Sequence, residues 1–198
     1  MFFSKMIKLA MRSEIVMFPN KILRAKTKRI ERVDEKLLEE IRKLKKILEE
    51  SENGAGLAAT QIGISKSFLG IKDKGEVKIL INPIMEASFG EKVYPKIISE
   101  GGGESDFLEG CLSFPDLYGT VKRFLKIKVS WEEVKNKKLE TRHETLEGFE
   151  AIVWQHEEDH LRGVLFVDHI KEEGGKFYYW KDKEKIKVDV NEILVKEK

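Results

Sequence analysis

The sequence has few of the features that mark secreted or membrane proteins. Its 198 residues include one cysteine, Cys111, so an internal disulfide is impossible and a reducing compartment is favoured. No stretch approaches the ~18 consecutive apolar residues of a membrane span. Lys5 and Lys8 interrupt the apolar start of the chain, which therefore lacks a secretory core. We expect a cytoplasmic protein that does not enter the membrane, although the pattern leaves open an organelle address in residues 1–12.

An excess of charge of one sign is also lacking. The 37 Lys and Arg residues nearly balance the 35 Asp and Glu residues, for a formal net charge of +2. This balance gives no support for sequence-specific nucleic-acid binding or for docking on an acidic membrane. Hydrophobic residues make up 41% and charged residues 36%, which is typical of a folded globular chain. The length fits one domain, and no linker or internal repeat is evident, so we expect a single domain over residues 1–198.

Two segments have the apolar spacing of helices. Apolar residues recur at helical intervals after Asp34, which suits an N-cap, and the pattern ends near Gly54. The second predicted helix covers residues 148–161 and stops at Gly163.

Short strands are predicted in between. Segments with strand-like composition or alternation cover residues 68–71, 77–81, 87–93, 125–131 and 138–146. Asn82 and Pro83 are expected to end the second of these strands, and the last two are expected to form a hairpin. Residues 177–180 are apolar enough to need a packing partner. Together these segments predict an α+β fold of short, mostly antiparallel strands and a few helices.

The chemistry is concentrated in the run His156-Glu157-Glu158-Asp159-His160 of the second helix. Positions i and i+4 lie on one helical face, so both imidazoles can reach a single ion. Glu157 is rotated by about 100° from His156 and can act as general acid/base on a water that the ion activates. With four histidines in the chain, a surface helix that carries this pair by chance is the weaker alternative. The run predicts a metal-dependent hydrolase.

A catalytic ion usually keeps three protein ligands and an open position, so a third ligand is needed. No histidine follows at the metzincin spacing, and the downstream acids Glu172 and Glu173 lie in a charged stretch typical of solvated surface. A lone cysteine is more often a small core residue than a ligand. Cys111, however, follows a glycine and has polar flanks, which favours a thiolate ligand.

At this point three motifs resemble the signatures of peptide deformylases, in that family's order. They are Gly54-Ala55-Gly56-Leu57-Ala58-Ala59-Thr60-Gln61-Ile62-Gly63, Glu109-Gly110-Cys111-Leu112-Ser113 and His156-Glu157-Glu158-Asp159-His160. The resemblance runs from Phe18 to Asp168, about three quarters of the chain. It implies one deformylase-like catalytic domain whose helix with the two histidines lies at the centre of the fold.

The resemblance also implies a role for each matched residue. Cys111, His156 and His160 would bind the metal, and Glu157 would be the acid/base. The Gln61 side chain and the Leu112 backbone N–H would donate to the formyl oxygen, where negative charge develops. Asp159 would orient neighbours of the histidine helix. The substrate would contact Gly54, Ala55, Gly56, Glu109, Gly110, Phe149 and Ile152, although plain core packing is an equal alternative for Phe149 and Ile152.

The implied reaction removes the formyl group from the N-terminal formyl-methionine of new polypeptides and releases formate. Fe(II) is the implied native metal, with Zn, Ni or Co as substitutes, and a transient contact with the ribosome is expected. Two departures concern the substrate: Ala55 stands where a larger aliphatic residue is common, and Tyr118 stands where some members carry an arginine that holds the peptide backbone.

Two rival functions remain at the level of sequence. A metallopeptidase could use the same helix, in which case Cys111 would not bind the metal. A deformylase-like fold could also serve as a non-catalytic binding module, but such a copy would be expected to lose some of Gln61, Glu157 and the three ligands.

Overall fold

A computed structural model describes residues 14–99, 102–182 and 184–197. Residues 1–12, where the sequence pattern leaves an organelle address open, lie outside these ranges. Within them the fold is α+β, with strands that pair antiparallel in every named sheet, as predicted. No helix in the described part of the chain is both long and apolar enough to cross a membrane.

Helix α1 (Glu35–Glu50) confirms the first helical prediction. The Asp34 carboxylate accepts a hydrogen bond from the Leu37 backbone N–H at 2.8 Å and so caps the N-terminus. The apolar stripe that the sequence predicted is buried at Leu37, Leu44, Ile47 and Leu48. This stripe packs on the first strands of the largest sheet, where Gly70 lets the helix side chains approach the backbone.

Eleven strands form three sheets in the described residues. They are β1 (Gly56–Ala58), β2 (Phe68–Asp73), β3 (Glu76–Phe89), β4 (Lys96–Ile98), β5 (Glu104–Asp106), β6 (Glu109–Cys111), β7 (Phe114–Gly119), β8 (Lys126–Lys135), β9 (Lys138–Glu147), β10 (Phe177–Lys181) and β11 (Glu184–Lys187). The largest sheet has the order β1-β2-β3-β8-β9, the second has β11-β10-β7-β6, and β4 pairs with β5. β1 and β6 are therefore edge strands of two different sheets.

The prediction that Asn82 and Pro83 end a strand is wrong, because β3 continues through them to Phe89. The register against β8 shifts between Ile81 and Ile84, which marks a bulge, and Asn82 has φ of 50°. Proline lacks an N–H, so a bulge is where a ladder can hold it. The Asn82 side chain accepts from the Ile30 N–H at 2.8 Å and donates to the Ile30 carbonyl at 2.7 Å, which fixes this conformation. The strand predicted at 87–93 is partly the end of β3.

The predicted hairpin of β8 and β9 is confirmed, with a tight turn at Asn136 and Lys137 that has positive φ at both residues. Residues 177–180 also find their partner, since β10 pairs with β7 on one side and β11 on the other.

Helix α2 (Gly148–Leu161) confirms the second helical prediction. It contacts β1, β2, β3, β8 and β9, and its residues are buried on almost every face. It ends before Gly163, whose φ is 76°; a Cβ there would lie 2.3 Å from the Arg24 carbonyl oxygen. Two short helices follow, α3 (Phe166–Glu173) and α4 (Val190–Leu194). The edges of β1 and β6 and the side of α2 meet at one cavity.

Candidate metal centre

Helix α2 and strand β6 bring three predicted ligands together. His156 and His160 are one turn apart on α2, and Cys111 ends β6. One ligand atom from each of the three lies within 4.8 Å of the others, with Cys111 Sγ 3.2 Å from His160 Nε2. Three such donors can hold one ion and leave a position open, which is the arrangement of a catalytic site. A thiolate with two imidazoles suits zinc and related first-row metals.

Glu109 orients the first histidine. Its Oε2 lies 3.0 Å from His156 Nδ1, which leaves His156 Nε2 free for a ligand. Arg123 grips the same carboxylate with Nε at 2.7 Å and Nη2 at 3.0 Å. Burial opposes ionisation of Glu109, but the charge and hydrogen bonds of Arg123 outweigh it and lower the pKa of this carboxyl to about 2. Glu109 therefore carries a negative charge next to the ligand.

Arg123 is the residue of this site that the sequence did not reveal. Its side chain is 3% exposed, and its Nη1 donates to Asp159 Oδ2 at 2.6 Å. Asp159 also contacts His169 Nε2 at 2.8 Å and Arg162 Nη2 at 2.7 Å. Burial opposes ionisation of Asp159, while His169 and Arg123 together hold its pKa below the usual range. One guanidinium thus joins the carboxylate that orients His156 to the carboxylate that precedes His160.

Glu157 is the buried carboxylate left without such partners. It is 4% exposed, and its Oε2 has no hydrogen-bond partner. Burial, opposed in part by the His156 charge, raises the pKa of Glu157 to about 7. Gly56 on β1 faces this side chain, and a Cβ at that position would lie 2.5 to 2.8 Å from Glu157 atoms. A carboxyl poised near neutrality in a tight site can accept and return a proton.

Gln61 presents its amide nitrogen to the same site. It belongs to a 3-10 helix (Ala59–Ile62) that follows β1, and its side chain is buried. Its Oε1 accepts from the Ala58 N–H at 2.8 Å, which fixes the orientation of the amide. Nε2 then faces Cys111 Sγ at 3.4 Å and Ser113 Oγ at 3.3 Å. An anchored N–H donor beside the ligands is available to a developing oxyanion.

The ligands open into a cavity of about 700 Å³. Of the residues with a predicted role, all but Asp159 and His160 line it: Gly54, Ala55, Gly56, Gln61, Glu109, Gly110, Cys111, Leu112, Phe149, Ile152, His156 and Glu157. Ile152 is 6% exposed and Phe149 is 55% exposed, so the first belongs to the wall and the second to the mouth. Tyr118 also lines the cavity. The sequence motifs, which are far apart along the chain, therefore form one continuous surface.

The remaining two histidines of the chain lie outside the ligand group. His143 is exposed, with its Nδ1 2.8 Å from Glu86, and lies on β9 away from the cavity. His169 contacts Asp159 and does not join the ligand group.

Comparison with known proteins assigns this arrangement to a family. Residues 12–176 match the family described as polypeptide deformylase. The peptide deformylase of Aquifex aeolicus is 41% identical over 164 residues, which is 80% of this chain and 87% of the relative. The crystal structure of the Thermotoga maritima peptide deformylase has a TM-score of 0.66 at 34% identity and covers 78% of this chain and 95% of that one. A Synechococcus elongatus peptide deformylase in complex with actinonin has a TM-score of 0.67 at 31% identity, with 92% and 84% covered.

Proposed function

The chain belongs to the polypeptide deformylase family, and from that premise we propose how its own residues perform the reaction. It is a hydrolase that removes the formyl group from the N-terminal formyl-methionine of new polypeptides and releases formate. The observation that carries the assignment of residues is the meeting of Cys111, His156 and His160 within 4.8 Å beside an unpartnered, buried Glu157.

Cys111, His156 and His160 are the proposed ligands of one divalent ion. Fe(II) is the proposed native metal, with Zn, Ni or Co as substitutes, and the mixed sulfur and nitrogen donor set supports this range. Burial holds the pKa of His160 well below its ordinary value in the metal-free site, which keeps that imidazole neutral as a ligand must be. When bound, the ion supplies a Lewis acid and lowers the pKa of a water molecule. The ligand helix α2 would then be the centre of a single catalytic domain over residues 1–198.

Glu157 is the proposed acid/base. Its carboxylate takes a proton from the attacking water and returns it to the amine nitrogen as the bond from carbon to nitrogen breaks. A pKa of about 7 supports both directions of transfer at neutral pH. The Gln61 amide and the Leu112 N–H are the proposed donors to the formyl oxygen, on which charge accumulates.

The methionine and the next residues of the substrate are proposed to lie between β1 and β6. Both are edge strands, and an extended peptide can pair with a free strand edge. Gly54, Ala55, Gly56 and Gly110 supply the backbone on either side, and Phe149 and Ile152 supply the apolar lining. Glu109 is proposed to contact the substrate through its backbone on β6, because its carboxylate is already bound by Arg123 and His156.

The decisive experiment is formate release from formyl-Met-Ala-Ser by protein loaded with Fe(II), Co or Ni under low oxygen. Glu157→Gln should lower kcat by roughly 10²–10⁴-fold while the bound metal, measured by elemental analysis, stays unchanged. Glu158→Gln is the matched control, because its carboxylate lies on the same helix but borders a different groove and should leave turnover intact. Absence of formate from the metal-replete wild type would reject the proposed function.

The metallopeptidase alternative makes an opposite prediction at the third ligand. Cys111→Ala should lose metal if the thiolate is a ligand, whereas a peptidase that uses an acidic ligand would keep it. Elemental analysis of Cys111→Ala beside wild type therefore separates the two.

We also propose that the enzyme acts in the cytoplasm and contacts the ribosome transiently. The nature of the substrate supports this, as does a chain with one cysteine and hence no internal disulfide. Co-sedimentation with translating ribosomes, compared with vacant ribosomes, tests the contact.

A further inference from the structure

Strand β10 continues the wall of the cavity outward as an aromatic surface. In the second sheet Tyr118 lies opposite Gly110 on one side and Tyr178 on the other. Residues directly opposite in a sheet share a face, and so do residues two apart along a strand, which adds Trp180. Lys187 and Lys185 lie opposite Tyr178 and Trp180 on β11. We call this row of Tyr118, Tyr178, Trp180, Lys185 and Lys187 the β7–β11 face.

The β7–β11 face starts inside the catalytic cavity. Gly110 and Tyr118 both line it. The Tyr118 ring lies against the Gly110 backbone, since a Cβ on Gly110 would come within 2.6 Å of that ring. The ring of Trp180 meets Tyr118 edge-on, with centroids 6.1 Å apart. The surface is therefore continuous from the residue that precedes Cys111 to the outermost strand.

The same strand separates this face from the core. Phe177, on the other side of β10, is 2% exposed and packs near Phe166. Trp180 is 44% exposed, and Lys185 places its ammonium 4.5 Å from the centre of the Tyr178 ring. Aromatic side chains are enriched in binding surfaces, and contiguous exposed apolar patches mark interaction sites. Core packing thus accounts for Phe177 but not for Trp180.

We propose that the β7–β11 face binds the stretch of substrate polypeptide that follows the residues held in the cavity, with a preference for an aromatic residue followed by acidic residues. The inference rests on the proposed function, because it takes the polypeptide's N-terminus to be in the cavity. Continuity with the cavity identifies the occupant: the rest of the substrate chain must leave past its wall. The rings offer contact area to an aromatic side chain, and the two lysines complement carboxylates.

The dimensions define which substrates reach the face. Two strand spacings from β7 to β11 span about 10 Å, which an extended chain crosses in roughly three residues. The tripeptide formyl-Met-Ala-Ser ends before the outer part of the face at Trp180 and the two lysines, whereas formyl-Met-Ala-Ser-Ala-Phe-Asp-Glu extends across it. We expect kcat/KM for the longer peptide to exceed that for the tripeptide by roughly tenfold. The gain should lie in KM, because these contacts form equally in the ground state and the transition state.

The test compares both peptides on the metal-loaded wild type, Trp180→Ala and the matched control Tyr179→Ala. Tyr179 is the next residue on β10 and points to the opposite side of the sheet. Trp180→Ala should raise KM for the longer peptide about fivefold and leave KM for the tripeptide unchanged. Tyr179→Ala should change KM for neither peptide. Equal effects on both peptides, or no effect of Trp180→Ala, would overturn the proposal. Formate from neither peptide would instead reject the proposed function.

A charge swap examines the lysines separately. Lys185→Glu should raise KM for the acidic peptide and lower KM for formyl-Met-Ala-Ser-Ala-Phe-Lys-Lys. Both changes should be smaller at high salt. Failure of this reversal would overturn the charge preference. A last measurement tests whether the wild type binds a short RNA. If Trp180→Ala abolishes that binding and leaves the peptide kinetics unchanged, the face binds nucleic acid and the proposal is overturned.

Discussion

Replacement of Arg123 by methionine tests whether one buried guanidinium supports the metal site. The change removes the charge and the donors but keeps most of the side-chain length. It leaves Glu109 and Asp159 as buried carboxylates without their strongest partner. Removal of one partner from a buried ion pair costs about 3–5 kcal/mol. Because Glu109 keeps His156 and Asp159 keeps both His169 and Arg162, we expect the lower end, about 3 kcal/mol of unfolding free energy.

Two measurements check this value. Urea unfolding of the metal-free protein gives the free energy, and a loss of that size lowers Tm by about 10 °C. Competition with a chelator gives the metal affinity, which should fall by about 10- to 100-fold because Glu109 no longer fixes His156. Arg142→Met is the matched control: Arg142 is 42% exposed and contacts Glu133 and Glu140, so its loss should cost no more than about 0.5 kcal/mol.

Arg123 does not support the metal site if Arg123→Met lowers the free energy of unfolding no more than Arg142→Met does, or if its metal affinity equals that of the wild type. A double variant sharpens the result. Glu109→Gln removes one of the stranded charges, so combined with Arg123→Met it should cost less than the sum of the two single changes. Arg123→Lys should rescue only part of the stability, because one ammonium cannot bridge two carboxylates in the way a guanidinium does.

Three further predictions concern single positions. Glu157→Gln should stabilise the metal-free protein at pH 8 by about 1–3 kcal/mol. The pKa of Glu157 is raised from 4.5 to about 7, so the wild type loses stability as pH rises through that window, and the gain should vanish in urea unfolding at pH 4.5. Gly56→Ala should lower kcat by at least about tenfold, since its Cβ displaces the Glu157 carboxylate, and in a Glu157→Gln background it should add little further loss to kcat. Asp34→Ala should cost about 1 kcal/mol in urea unfolding through loss of the α1 cap and leave kcat/KM unchanged.

Local sequence patterns predicted the helices and strands in which buried side chains recur at the spacing of that element. The stripe of α1 and the alternation of β8 each report which side faces the core, so the sequence suffices for both. The ligand pair on α2 follows in the same way, because helical spacing alone places His156 near His160. The flanks of Cys111 and the family resemblance both favoured it as the third ligand, but no local pattern could show that it lies near them, since the proximity of β6 and α2 is a property of the tertiary fold.

The features that the sequence did not predict depend on contacts between segments that are far apart along the chain. β3 continues past Pro83 because the Asn82 side chain bonds to Ile30, which lies 52 positions earlier. No feature of the residues around Pro83 contains that information. Arg123 was missed for the same reason: beside Lys122 it resembles any solvated base, and only its partners on β6 and α2 make its burial tolerable.

The position of Arg123 has a second consequence, which concerns proton transfer. Burial raises the pKa of Glu157, but the Arg123 charge opposes that shift while Glu109 and Asp159 reinforce it. Removal of the arginine takes away a positive charge that stabilises the ionised Glu157 and leaves two negative charges that destabilise it. The pKa of Glu157 should therefore rise further. A base with a higher pKa is protonated over a wider acidic range, and the acid limb of kcat/KM for metal-saturated Arg123→Met should move to higher pH than in the wild type. A variant that only loosens the fold would lower the whole profile without moving this limb. If the acid limb of kcat/KM does not move, Arg123 only holds the metal ligands in place and does not influence proton transfer.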